Sequence, residues 1–193
     1  MINRRQALLG ASAAVAASTA FAESKVQPLK SLAARKGLVF GSAVGAGPKG
    51  ALTGSFEDAR YRQVLADECG VLVPENELKW YVLRPAEATF AFERADRIAA
   101  FAAEHGAALR GHTLLWHHPQ WFPAWLKDYD FGPKPAARVE AMLAEHVDRV
   151  CGHYPQIRSW DVVNETVDPA DGALRRTVFS DAMAGVEPVL YLS

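Results

Sequence analysis

Only two cysteines occur in 193 residues, Cys69 and Cys151, so no disulfide framework organises this chain. A disulfide is allowed in an exported protein. However, each cysteine closes a different predicted helix with a strand pair between them, so they are read as two free buried thiols. The formal net charge is −1 and no run of one sign occurs; nucleic acid and anionic membrane surfaces are therefore not expected partners. Long hydrophobic runs are also missing. The most apolar stretch lies within residues 1–22, is broken by Gly10, Ser12 and Ser18, and is too short and mild to remain as a bilayer span. No serine sits in a G-x-S-x-G context, H-E-x-x-H is absent, and neither cysteine precedes a helix in an electropositive setting. Nothing calls for a cofactor.

What the chain has is apolar and aromatic content: half of it is hydrophobic, and five tryptophans are present. That is ample for a core, and it equally suits binding of flat, apolar-faced ligands such as sugar rings. Arg4-Arg5, then Ala7-Leu8-Leu9-Gly10, then Ala20-Phe21-Ala22 read as an export signal cleaved after residue 22. The arginine pair resembles a twin-arginine signal, with Asn3 where a hydroxyl residue is usual. The expected organisation is a signal over 1–22 and one domain over 23–193, periplasmic or secreted.

Within that domain, Leu38–Val44 reads as a first strand. The loop after it holds Gly45, Gly47 and Gly50, a formal G-x-G-x-x-G. Pro48 interrupts it and the next helix starts only near Ser55, so it is read as a surface loop and not a nucleotide site. Ser55 and Asp58 are placed as a capping-box-like helix start, and Gly70 as its stop. Val71–Val73 is a second strand that runs into Glu75, Asn76, Glu77, Lys79 and Trp80. Ala95, Ile98, Ala99 and Ala102 fall at helical spacing, Leu109–His117 is a third strand with its exit, and Val139 to Val150 trace a long helical stripe. His146 lies in that stripe and is read as a packing residue. Ile157–Val163 is the fourth strand. Strand and helix alternate throughout, which argues for a parallel α/β architecture.

Trp160-Asp161-Val162-Val163-Asn164-Glu165 is the stretch on which function turns. A short β-branched run that stops at an amide and a carboxylate reads as a buried strand. In a parallel barrel such strand ends open into the active-site mouth. Partial desolvation and a neighbouring donor would suit Glu165 to general acid work; the plainer alternative is a glutamate that caps the next turn. His112, His117 and His118 invite a metal reading, but the step from 112 to 117 is odd and neighbours on a strand diverge. They are read as hydrogen-bond donors to a ligand or a carboxylate, and no metal is assigned. Carboxylates with Asn, Lys, His and Trp at strand ends are glycosidase-like equipment, since two carboxylates flanking a glycosidic bond suffice for the reaction.

Glu75-Asn76-Glu77-Leu78-Lys79-Trp80, Arg110-Gly111-His112-Thr113-Leu114-Leu115-Trp116-His117 and the Trp160–Glu165 stretch together resemble glycoside hydrolase family 10, the endo-1,4-β-xylanases. The resemblance implies a (β/α)₈ barrel, of which this chain would be the first half, ending in the region after strand 4. It implies a retaining mechanism on xylan or xylo-oligosaccharides by a monomeric full-length enzyme. Glu165 would be the acid/base, and Asn164 would hold the substrate 2-hydroxyl or the nucleophile. Glu75, Asn76 and Lys79 would bind sugar hydroxyls. His112 and Trp116 would border the sugar at the cleavage point, and His117 would support them.

Two departures accompany the resemblance. His118-Pro119-Gln120-Trp121 stands where the family carries a small residue, then Gln, so one glycone contact is missing or comes from elsewhere. No residue matches the family's nucleophilic glutamate, and Glu187, beside Pro188, is no substitute. The chain as written is therefore expected to lack appreciable xylanase activity, and its open strand edges to invite association. A non-catalytic carbohydrate-binding half-barrel is the alternative, and a metal-dependent barrel hydrolase a more distant one.

Overall fold

The computed structural model describes residues 26–47 and 54–183. Residues 1–22, read above as an export signal, and Pro48, Gly50, Glu187 and Pro188 lie outside the described residues. The strands are β1 (Gly41–Val44), β2 (Val71–Pro74), β3 (Ala108–Leu109), β4 (Gly111–Trp116) and β5 (Trp160–Asn164). Every ladder is parallel: β1 on β2, β2 on β3, and β4 on β5. Only Arg110 separates β3 from β4, and its N–H still donates to the Leu72 carbonyl at 3.0 Å. Residues 108–116 thus run as one extended segment, pairing with β2 at its start and with β5 along its body.

Parallel neighbours need a crossover, and helices supply it. They are α1 (Leu29–Ala34), α2 (Ala59–Glu68), α3 (Trp80–Leu83), α4 (Glu93–Glu104), α5 (Ala124–Lys127), α6 (Pro135–His153) and α7 (Val178–Ala182). The alternation expected from the sequence is present. One apolar cluster, with Val44, Leu65, Leu72, Ile98 and Leu109, packs α2 and α4 on β1–β3. A second, with Trp80, Leu115, Leu126, Val139, Met142 and Phe179, joins α3, α5, α6 and α7 to β4. Between β4 and β5 the Trp160 ring lies against Gly111, where a Cβ would fall within that ring.

Several boundaries differ from the sequence reading, each for a local reason. The first ladder begins at Gly41, not Leu38; Leu38, Val39 and Phe40 are exposed, Leu38 N donates back to the Ala33 carbonyl at 3.0 Å, and the Phe40 carbonyl accepts from Gly70 N at 2.8 Å. Ser55 opens a 3₁₀ turn over Ser55–Glu57, and the cap of α2 is Asp58. Its carboxylate accepts from the Tyr61 and Arg60 N–H groups at 3.1 and 2.8 Å, which holds its pKa below the usual value. Val64 of α2 is exposed, while Leu65 is buried. The fourth strand starts at Trp160, since residues 155–159 turn out of α6. Gly45 and Gly47 are buried, so this part of the glycine loop is not surface. Cys69 is buried and Cys151 half-buried, and both are free thiols.

His146 packs as its place in the stripe requires. Its ring stacks on Trp80 with centroids 4.0 Å apart, and neither ring nitrogen has a hydrogen-bond partner. Nearby Arg84 is buried, bonded to Glu145 at 2.7 Å and lying over the rings of Phe90, Trp80 and Trp125. Burial, and then the Arg84 charge, push the His146 pKa from 6.5 down to about 3. Between those values the unfolded chain takes up a proton that the folded chain refuses. Stability attributable to His146 is therefore complete above pH 6.5 and declines as pH falls towards 3, by about 1 kcal/mol per unit. Urea midpoints at pH 7, 5 and 4 should fall more steeply for the wild-type chain than for His146→Leu. A pH-independent gap between the two would refute the buried neutral histidine.

Candidate active site

The strand ends of β2, β4 and β5 bring the polar residues of the three sequence blocks to one end of the ribbon. After Pro74 the chain turns, and the buried Glu77 carboxylate anchors that turn. It accepts from Ala46 N in the loop after β1 at 2.8 Å and from Asn76 N at 3.1 Å. Trp80 follows, fully packed, and its indole N–H donates to the Leu114 carbonyl of β4 at 2.6 Å. With both ends of the turn fixed, Lys79 is drawn against Trp116. Its ammonium lies 4.2 Å from the ring centroid, a cation–π contact, and 3.4 Å from Asn76 Oδ1. Burial lowers the Lys79 pKa, while the charges of Glu75, Glu165 and Glu77 oppose that shift.

Asn76 Oδ1 also accepts from the Tyr81 hydroxyl at 2.7 Å. Two donors on one oxygen fix the orientation of the amide. The Tyr81 phenol is pushed up by burial and by the charges of Glu77 and Glu75. Its ring lies 6.0 Å from that of Trp121, which in turn stacks on Trp116 at 5.3 Å with planes 8° apart. Trp121 is 41% exposed. The His118–Trp121 departure thus places an exposed aromatic face beside Trp116, on a 3₁₀ turn that begins at Pro119.

Just past the end of β5, the Glu165 carboxylate accepts from the Trp116 indole N–H at 2.8 Å. Glu165, Trp116, Lys79, Asn76, Tyr81 and Trp121 therefore form one continuous set of contacts. Glu165 is exposed, so the partial desolvation expected from its position behind an apolar run is not supplied by the described residues. Glu75 is also exposed, with its backbone N–H tied to the Val44 carbonyl at 2.9 Å. Asn164 is half-buried next to Glu165, and its carbonyl accepts from His117 N at 2.9 Å.

The histidines divide. The His112 ring is committed to Asp161 at 3.0 Å, and Arg110 pairs with the same carboxylate. The Thr113 hydroxyl donates to the Asp161 carbonyl at 2.6 Å, and the His112–Thr113 peptide bond is cis. His117 is fully buried with its Nε2 3.0 Å from the Arg175 carbonyl. Burial keeps its pKa low, and the carbonyl partner requires the Nε2–H tautomer. It lies beneath the cleft and does not line it. His118 borders Trp116 at 5.8 Å between centroids. Among the described residues no group of three or more His, Cys, Asp or Glu side chains converges on a point.

Sequence reasoning did not single out Tyr81 or Arg175, and it treated Trp121 only as part of a departure. Tyr81 directly follows the Lys79-Trp80 pair, and that adjacency was its one available signal. Arg175 lies ten residues past Glu165 in a polar loop with no periodicity to mark it.

The whole arrangement has relatives. The model of glycosyl hydrolase family 10 matches residues 28–189. Endo-1,4-beta-xylanase 1 of Humicola insolens is 38% identical over 155 residues, covering 78% of this chain and 33% of that protein. Beta-1,4-xylanase of Dictyoglomus thermophilum is 37% identical over 136 residues, 68% of this chain and 36% of that one. This chain thus spans about a third of the length of these relatives. Among solved structures, xylanase 10B from Thermotoga petrophila in complex with xylobiose superposes with a TM-score of 0.70 at 26% identity, over 82% of this chain and 46% of that one. Xylanase10C from Cellvibrio japonicus in complex with xylopentaose, at 24% identity and a TM-score of 0.72 over 86% of this chain and 33% of that one, shares the fold. The parallel strands and crossover helices thus match part of the barrel fold of these xylanases, and the chain belongs to glycosyl hydrolase family 10.

Proposed function

We propose that this chain carries the acid/base and sugar-binding half of a retaining endo-1,4-β-xylanase site. The observation that carries the reading is the Trp116–Glu165 hydrogen bond, made at strand ends beside Lys79 and Asn76. In the first step protonated Glu165 gives its proton to the glycosidic oxygen as the C–O bond breaks and a second carboxylate bonds to the anomeric carbon. In the second step Glu165, now ionised, takes a proton from water as that water displaces the carboxylate. The second carboxylate must stand about 5–5.5 Å from the first, and no residue of this sequence corresponds to the family's nucleophile. Asn164 would hold the 2-hydroxyl, and Glu75, Asn76 and Lys79 the hydroxyls of the glycone. Trp116 would border the cleavage point. His112 and His117 would act through Asp161 and Arg175, their bonded partners. Export by the segment 1–22 places this activity outside the cytoplasm.

Residues 1–193 alone should bind xylotetraose without releasing reducing sugar, measured by calorimetry and a sugar assay. Sugar release by this chain would overturn the assignment of half a site, and absence of binding would remove the sugar-binding role. When the nucleophile is supplied by further sequence, Glu165→Gln should collapse turnover of xylan. It should spare the first step on aryl xylosides whose leaving groups need no proton. Equal loss on both substrates would remove Glu165 from the acid role. Trp121→Ala should weaken xylotetraose binding about tenfold, about 1.4 kcal/mol, and an unchanged affinity would show that its exposed face is not used.

A further inference from the structure

Glu165 has φ of +55° and, among the described residues, is the one non-glycine in the left-handed region. An L side chain is disfavoured there because its Cβ crowds the following carbonyl, so surrounding contacts must hold the conformation. Those contacts converge on Arg175. Its Nε donates to the Glu165 carbonyl at 3.1 Å, and its backbone N–H donates to the Thr166 carbonyl at 2.8 Å. Its Nη1 pairs with Asp168 at 3.1 Å, and the Arg175 side chain is only 14% exposed. From below, buried His117 bonds the Arg175 carbonyl through Nε2 and the Asn164 carbonyl through its backbone N–H. Two successive peptide carbonyls at the end of β5, those of Asn164 and Glu165, are thus held by one assembly.

The loop between delivers Arg175 to this place. Val167 and Leu174 form an antiparallel bridge, and Asp168 N donates to the Ala173 carbonyl at 2.7 Å. Gly172 supplies the left-handed residue of the turn at φ +73°. The segment folds back on itself, and its return leg ends under Glu165.

We propose that Arg175 is a positioning residue for Glu165. It fixes the left-handed turn that aims the carboxylate at Trp116, and His117 in turn holds Arg175; the proposal rests on the reading of Glu165 as the acid/base. A plain ion pair with Asp168 would need only Nη1 and would place no donor on the Glu165 carbonyl. The guanidinium fork does both, whereas a lysine in its place keeps the charge and loses the Nε donor.

The test follows the indole N–H of Trp116 in the expressed chain labelled with ¹⁵N-tryptophan, the signal being assigned by Trp116→Phe. That N–H donates to the Glu165 carboxylate, so its resonance should move as the carboxylate titrates, and Glu165→Gln should abolish the movement. Arg175→Ala and Arg175→Lys should each reduce the amplitude at least threefold, while the Trp80, Trp125 and Trp160 signals stay in place. Asp168→Asn should leave the amplitude intact. A full amplitude in either Arg175 variant overturns the proposal. So does loss of amplitude in Asp168→Asn, or displacement of all the indole signals in Arg175→Lys, which would mark a structural role only. If Glu165→Gln leaves the titration in place, the underlying contact is wrong and the proposal falls with it. The acid/base reading is judged separately by the leaving-group comparison, which does not depend on Arg175.

Discussion

Burial of the Trp80 ring is the constraint from which the site follows. The indole gives its N–H to the Leu114 carbonyl and stacks on His146 of α6, so the turn after β2 is fixed to β4 and to the helix behind it. Lys79 is the residue before Trp80, and it has nowhere to go but onto the face of Trp116. Asn76 and Tyr81 then close around Lys79 and each other. A packing decision in the apolar cluster is thereby converted into the placement of an ammonium and an amide at the mouth of the strands. Such rigidity is what a binding constellation needs from the elements beneath it.

Glu165 receives a different kind of support. Lys79 is placed by side-chain packing, whereas Glu165 is placed by backbone: a left-handed residue at the end of β5 whose carbonyl is held by Arg175. The hydrogen bond from Trp116 joins the two systems. The parts of this joined system come from three strand ends and one returning loop.

Much of this was legible in the sequence, because short β-branched runs that stop at polar residues mark strand ends directly. Val71–Val73 followed by Glu75, and Val162-Val163 followed by Asn164 and Glu165, placed two of the three strand ends. The periodicity of α6 correctly assigned His146 to packing, since a residue inside an apolar stripe shares its burial. The helix start was misplaced by three residues because Ser55 and Asp58 are both good caps, and only geometry decides which oxygen meets the free N–H groups. Arg175 could not be read in advance, and Tyr81 and Trp121 were marked only by their neighbours. Their roles arise from contacts across the fold and from one φ value, neither of which leaves a periodic trace. His117 was expected to support His112 and Trp116; its ring is buried against the Arg175 carbonyl, and a strand exit with a shifted register does not announce that partner.

The parallel ladders also govern the order in which this cluster of side chains can come together. Trp116 and Glu165 are 49 residues apart in sequence, and no hairpin brings β4 and β5 together early. Their pairing waits on α6, a helix of 19 residues, to form and dock, and contacts of such separation are slow to close. During synthesis, then, the Lys79 cluster can be shaped while the chain is still emerging, and the Glu165 carboxylate joins it afterwards. A nascent chain can thus hold Lys79, Asn76 and Trp116 together before the Glu165 carboxylate joins them.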